Sequence, residues 1–400
     1  MKVITGKCSS RKATVRAIFD AGSDVEYGIW TPGIAHLAEH MIFQGNEDMT
    51  QEEHSRALAS LGVEANAATW HNKVMFYIDS PAENILEATK LFKKNILGRK
   101  GFDTAEFEKE KLVVLEEERG SRDSVDNMVA NALHDYLCKG PLSIPIIGFE
   151  ETIKSITQEE LEEFYHYYYR PSRLLLTITG PEDLDFDAIS EVFGENTNRF
   201  LRADKEPNQY AGRKGKILQS PAIEQARIFM CYRAVPISSK KALTLNYVDQ
   251  FLTSAMDSRL FQSLRQKHGL CYLVGAYLAF YEDIGWYVVV VKTSEENVDK
   301  CIKLVNKEVE LLLEKGPTEE EMIRSRNKYI SEIYSGIETS YGLNSALALS
   351  EFNGLDDLDT TLHRIKSMTP GKIRGVCRQV FDKSNKQVFR CLTEEEEDEL

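Results

Sequence analysis

The sequence predicts an α+β protein of two pseudo-duplicated domains, each a mainly antiparallel sheet packed with helices. Three observations carry this. Strand-like and helix-like segments follow one another in the mixed order of helices layered on an antiparallel sheet. The length, 400 residues, exceeds what one hydrophobic core usually serves. The order of elements then restarts after a polar, basic stretch, so the second half repeats the first at a spacing near 200 residues.

Val15–Phe19 and Lys73–Ile78 read as strands, the second rich in Val, Met, Phe and Tyr. Between them, Ile34–Phe43 and Gln51–Leu61 read as helices, the second closed by Gly62 as a C-terminal cap. Helical patterns continue over Pro81–Phe92, Thr104–Arg119 and Asp123–Leu137. Thr157 is set to cap a further helix, with Glu160 in the capping-box position. Leu174–Thr179 is an apolar strand bounded by Pro171 and Gly180. Asn198–Ser220, with Pro207, Gly212 and Gly215, reads as a linker. Beyond it Ala226–Tyr232 and Gly285–Val291 are strand-like, while 241–266, 295–315 and 318–334 are helical. The expected division is a first domain over 1–197, a linker over 198–222 and a second domain over 223–400.

Composition narrows the function. A net charge of -14 disfavours a protein whose main job is gripping phosphate backbones, so no nucleic-acid partner is expected. No run approaches the roughly 18 apolar residues of a membrane span, so no membrane partner is expected either. Met1–Ser10 lacks the apolar core of a signal peptide. It is poor in acids, like a transit peptide, but strand-like Val15–Phe19 follows so soon that little could be removed. The seven cysteines are scattered and form no CxxC pair, which reads as reduced thiols in a cytoplasmic protein. The acidic run 394–399 reads as a solvated terminus.

The residues that carry chemistry are His36-Leu37-Ala38-Glu39-His40. On a helix, His36 and His40 project from one face, where two imidazoles can share a metal ion. Glu39 lies beside them, placed to take a proton from water. This is the HxxEH order, the inverse of HExxH. Zinc needs a third protein ligand and an open fourth position. Glu116, Glu117 and Glu118 near the end of the helix from Thr104 are candidates, and periodicity alone does not separate them. Glu110 and Glu117, seven apart, share one partly apolar stripe.

From Gly22-Ser23 and Glu26 through Gly33-Ile34-Ala35-His36-Leu37-Ala38-Glu39-His40-Met41-Ile42-Phe43-Gln44-Gly45, the chain resembles the M16 metalloproteases (pitrilysin, insulysin and mitochondrial processing peptidase). The resemblance continues through Gly62 to Asn66-Ala67-Ala68-Thr69, and to Glu110 with Glu117. Pro145-Ile146-Ile147-Gly148 and Tyr169-Arg170-Pro171 belong to it as well. The 76 residues between His40 and Glu117 match the family's spacer and select Glu117 as third ligand, with Glu110 bracing the site. The resemblance implies one Zn2+ per chain, held by His36, His40 and Glu117, with Glu39 activating water. It implies that Asn66 and Ala67 contact the substrate backbone. In the second half, Ser258–Arg265 and Gly269-Leu270-Cys271-Tyr272 resemble the family's Arg-x6-Tyr pair. Arg265 and Tyr272 are then the donors to a developing oxyanion. The family often has His where this chain has Gly140, and the N-terminal strand is short.

What the resemblance implies for fold and activity is the LuxS/MPP-like fold and a zinc endopeptidase acting on peptides or unfolded segments. Large single-chain relatives carry four such domains around a closed chamber. Two domains with both residue sets lead us to expect a homodimer in which Arg265 and Tyr272 act in trans, with a heterodimer with a paralogue as the other form. The alternatives are a specific precursor-processing peptidase and a non-catalytic structural or regulatory subunit.

Overall fold

The computed structural model describes residues 1–211 and 215–393, so the acidic run 394–399 and Gly212 of the expected linker lie outside the described residues. The chain forms two compact units. Met1–Ser124, Gly140–Pro207 and Tyr334–Phe352 make the first; Val125–Lys139, Asn208–Ile333 and the residues from Asn353 make the second.

The first sheet runs, edge to edge, Lys2–Lys7, Leu174–Gly180, Lys12–Phe19, Val74–Pro81 and Glu64–Thr69. Its first pair is parallel and the rest antiparallel. The central strands alternate two buried faces. Val15, Ala17 and Phe19 lie opposite Ile178, Leu176 and Leu174, and this face meets helices Ile34–Ile42, Ile85–Leu97, Thr104–Asp123 and Gln158–Tyr168 in one apolar core. The other face carries Thr14, Arg16 and Ile18 and is covered by helix Ser340–Asn353. There the burial is partly polar and needs partners. Asn344 Nδ2 donates to the Thr14 and Thr177 carbonyls at 3.0 and 2.9 Å, while its Oδ1 accepts from Arg16 Nε at 2.9 Å. The Arg16 guanidinium lies over the rings of Tyr77 and Tyr341, 5.0 and 5.1 Å from their centroids.

The second sheet runs Gly215–Gln219, Lys386–Leu392, Ala226–Arg233, Gly285–Thr293 and Cys271–Phe280. Each sheet therefore reads first, last, second, fourth, third within its unit, with a single parallel pair between first and last. The shared topology is the pseudo-duplication itself. Ile228, Met230, Tyr287 and Val289 bury one face with helices Lys240–Leu252, Val298–Lys315 and Pro370–Val380. On the other face helix Val125–Leu137 sets Tyr136 5.4 Å from the Phe389 ring. Each sheet is thus backed by a helix from the opposite half of the sequence.

Several local expectations change. Lys2–Lys7 is a strand, and the strand containing Val15 begins at Lys12. The helix expected over 241–266 ends at Leu252, where the Thr253 and Ser254 hydroxyls turn back onto the Asp249 carboxylate. A wide, π-type helix, Phe261–Lys267, follows separately. Thr157 does cap its helix, accepting the Glu160 N–H at 3.2 Å, but the Glu160 carboxylate accepts from Thr31 N at 2.8 Å instead of closing a capping box. All seven cysteines are free thiols, and no described helix is long and apolar enough to cross a membrane.

Candidate metal centre

The helix Ile34–Ile42 has nine residues, a length at which an isolated helix is marginal in water, so its ends must be held by the fold. It starts at Gly33, whose φ of +99° suits glycine, and where an added Cβ would meet the Ile147 carbonyl oxygen at 2.6 Å. Gly148 crosses the same point, its Cβ position lying 2.5 Å from the Pro32 carbonyl oxygen. In place of a side-chain cap from Gly33, the buried Glu26 carboxyl accepts from Gly33 N at 3.0 Å and Ala35 N at 2.8 Å.

Burial pushes Glu26 up to about 8, against the pull of those two N–H groups. A carboxyl raised above its ordinary value of 4.5 stabilises the fold fully only below that value. Its contribution is lost as pH rises towards about 8, because the unfolded chain gives up the proton first. The metal-free protein should therefore lose stability relative to Glu26→Gln between pH 5 and 8, as read from paired thermal melts. Parallel curves would contradict this.

His36 and His40 leave the helix on one side, their ring centroids 4.7 Å apart. Glu117 comes from the helix Thr104–Asp123 packed against them, with Oε2 3.9 Å from His36 Nε2 and 3.5 Å from His40 Nε2. One ligand atom of each residue lies within 4.8 Å of the others. The structure also separates the three consecutive glutamates. Glu116 pairs with Arg119 on the surface, Glu118 is buried against Arg122, and Glu117 alone turns to the histidines. Glu110, two turns earlier on the same helix, places Oε2 3.2 Å from His40 Nδ1, which fixes the ring and leaves Nε2 facing Glu117.

This donor set fits zinc. Two imidazole nitrogens and a carboxylate converge, as in open three-ligand zinc sites. Burial, then the neighbouring His40, push His36 down to about 4, so it is neutral at physiological pH, the form that binds metal. Its buried Nδ1 has no hydrogen-bond partner among the described residues. Glu39, Glu110 and Glu117 form no ion pair with Lys or Arg among the described residues, so a cation would balance the cluster. Glu110→Gln should weaken zinc binding about 10–100-fold, measured by chelator competition, by freeing the His40 ring. An unchanged affinity would remove Glu110 from the site.

Glu39 extends beside this cluster. Its Oε2 accepts the Thr69 hydroxyl, and burial raises its pKa above the ordinary carboxylate value. Tyr169, fully buried, keeps its hydroxyl without a hydrogen-bond partner among the described residues, and its ionisation is opposed by burial first and by Glu39 second. In the sequence Thr69 and Tyr169 stand only as landmarks of their motifs, and that position is the signal that could have found them.

Asn66 and Ala67 lie on Glu64–Thr69, the edge strand of the first sheet. Ala67 N donates to its neighbour's Asn66 Oδ1 at 2.8 Å. Arg265 and Tyr272 belong to the second unit. Arg265 sits near the end of the π-type helix, its Cζ 5.6 Å from the Tyr272 ring centroid, and Tyr272 is 71% exposed at the start of the edge strand Cys271–Phe280. Neither Arg265 nor Tyr272 belongs to the His36–His40–Glu117 cluster.

The sequence model for Insulinase (Peptidase family M16) matches residues 2–149, and that for the Peptidase M16 inactive domain matches 155–329. An uncharacterised zinc protease of Rickettsia felis is 30% identical over 315 residues, 75% of this chain and 73% of that protein. One of Bacillus subtilis is 25% identical over 382 residues, covering 89% of this chain and 90% of the relative. Among solved structures, a peptidase M16 inactive domain from Pseudomonas fluorescens superimposes with a TM-score of 0.86 at 17% identity, over 97% of this chain and 94% of that one. A protease from Helicobacter pylori gives 0.85 at 17% identity, over 97% and 96%. Both share the fold. With matches to both halves and a relative at 30% identity, the chain belongs to the M16 (insulinase) peptidase family.

Proposed function

We propose that the chain is a zinc-dependent endopeptidase of peptides or unfolded polypeptide segments. The observation that carries this is the convergence of His36, His40 and Glu117 within 4.8 Å, with Glu39 half-buried beside them and oriented by Thr69. Zinc held by His36, His40 and Glu117 would supply Lewis acidity, lowering the pKa of water to about 7. The protein's own groups do the rest. Glu39 takes the proton of the attacking water and passes it to the departing amine nitrogen, a task suited to a carboxyl whose burial raises its pKa.

An extended peptide fits the free edge of Glu64–Thr69 as an added strand. Ala67 N–H is bonded to its own neighbour's side chain and becomes available if Asn66 swings away. The strand ends at Thr69, the residue that touches Glu39, so the edge leads the backbone towards the site. The net charge of -14 favours basic, extended peptides.

Arg265 and Tyr272 complete the reading as donors to the oxyanion, supplied by a second copy of the chain across a closed chamber. The exposure of Tyr272 and the absence of a carboxylate partner for Arg265 among the described residues support a role towards something outside their unit. Mixing Glu39→Gln with Arg265→Ala subunits tests this. Random exchange places one intact site in half of the dimers and should restore about a quarter of wild-type activity. No recovery, with subunit exchange demonstrated, would rule out action in trans.

A further inference from the structure

Each end of the histidine helix is gripped by a buried side chain that forms no ion pair among the described residues. At the N-terminus both oxygens of Glu26 accept N–H groups, from Gly33 and Ala35. At the C-terminus Arg99, 8% exposed, donates from Nη2 to the Ile42 carbonyl at 2.7 Å and to the Gly45 carbonyl. Its Nε donates to the Asn95 carbonyl at 3.2 Å. A cation among the carbonyls at the negative end of a helix, and an acidic group at the N–H end, match the orphan groups and dipole of a helix too short to hold itself. The planar guanidinium bonds the Asn95 carbonyl through Nε while Nη2 reaches the helix end, two donor nitrogens in a fixed fork that a single ammonium nitrogen does not have.

The grips fall where the metal ligands are. His36 follows Ala35 in the turn that Glu26 holds, and His40 precedes Ile42 in the turn that Arg99 holds. Fraying at either end would separate the imidazole nitrogens that must converge on Glu117. We infer that Glu26 and Arg99 are the positioning residues of the metal centre, Glu26 fixing His36 and Arg99 fixing His40 through the terminal backbone groups of their helix. This rests on the metal-binding reading above and adds to it residues that touch neither metal nor substrate.

The test loads full-length protein with Co2+, whose visible bands report coordination geometry, and measures affinity by chelator competition alongside kcat and KM. Glu26→Gln, which replaces one acceptor by a donor, and Arg99→Gln should bind Co2+ at least 10-fold more weakly and with altered bands, while circular dichroism shows them folded. Arg99→Lys should recover part of the affinity. Phe92→Leu, which loosens packing against Phe193 in the same core, should lower the melting temperature and leave Co2+ affinity unchanged. If either Gln variant fails to fold, Glu26→Asp and Arg99→Lys carry the same expectation of weakened binding in a folded chain. Folded variants with wild-type affinity and bands would overturn the inference, as would an equal loss in Phe92→Leu. A wild-type chain that takes up no Co2+ would instead overturn the metal reading beneath it.

Discussion

Replacing His40 or Glu117 by Ala should abolish stoichiometric zinc binding and, with it, all peptide hydrolysis. Each is one of three side chains that converge within 4.8 Å among the described residues, and losing either leaves two donors. Loss of an outer partner of a metal ligand costs about 10–100-fold in affinity, so loss of a ligand must exceed the upper end of that range. His40→Ala has a second consequence, because it removes the ring on which Glu110 acts and leaves a buried carboxyl without its partner. Atomic absorption on dialysed protein reads the zinc; activity on an unstructured peptide reads the rest. A His40→Ala or Glu117→Ala protein that retained one zinc per chain would place the metal elsewhere.

Glu39→Gln should separate binding from chemistry. The substitution keeps the size of the side chain and can still meet the Thr69 hydroxyl through its amide oxygen, so the helix and the three ligands should stay in place. It removes the carboxyl placed beside the ligands to take the proton of water. General acid–base catalysis contributes about 10^2–10^4-fold, and a loss of that size in kcat is expected with KM little changed. A rise in KM of the same size, with kcat preserved, would make Glu39 a substrate-binding group.

The fold class was legible because its signals are local. Val15, Ala17 and Phe19 announce a strand, and Leu174–Thr179 another, by apolar runs that both faces of a covered sheet demand. The pseudo-duplication was legible in element order and is written out in the identical strand order of the two sheets. The helix exchange was not legible. An amphipathic helix such as Val125–Leu137 displays its apolar face but not the sheet that will receive it. Ser340–Asn353 was missed because its face is mixed, with Ser340 and Asn344 spent on the polar row of Thr14, Arg16 and Thr179. The break after Leu252 was hidden because it depends on Asp249 turning back two hydroxyls, a tertiary detail inside a helix-favouring run.

Around the site the same division holds. His36, Glu39 and His40 stand at a spacing that geometry alone makes meaningful. Glu117 could not be told from Glu116 and Glu118 by periodicity alone, although it shares a partly apolar stripe with Glu110. Only packing sends Glu118 to Arg122 and Glu117 to the histidines. Arg99 had no sequence signal at all. Its role is defined by two carbonyls more than 50 positions away in the chain.

The central claim is that this cluster hydrolyses peptide bonds with Glu39 as the proton-transferring group. The most direct test measures zinc content and cleavage of a long, unstructured basic peptide on the same preparations of wild-type and Glu39→Gln protein. One zinc per chain is expected in both, with cleavage by the wild type alone. Equal cleavage by the two zinc-loaded proteins would contradict the claim.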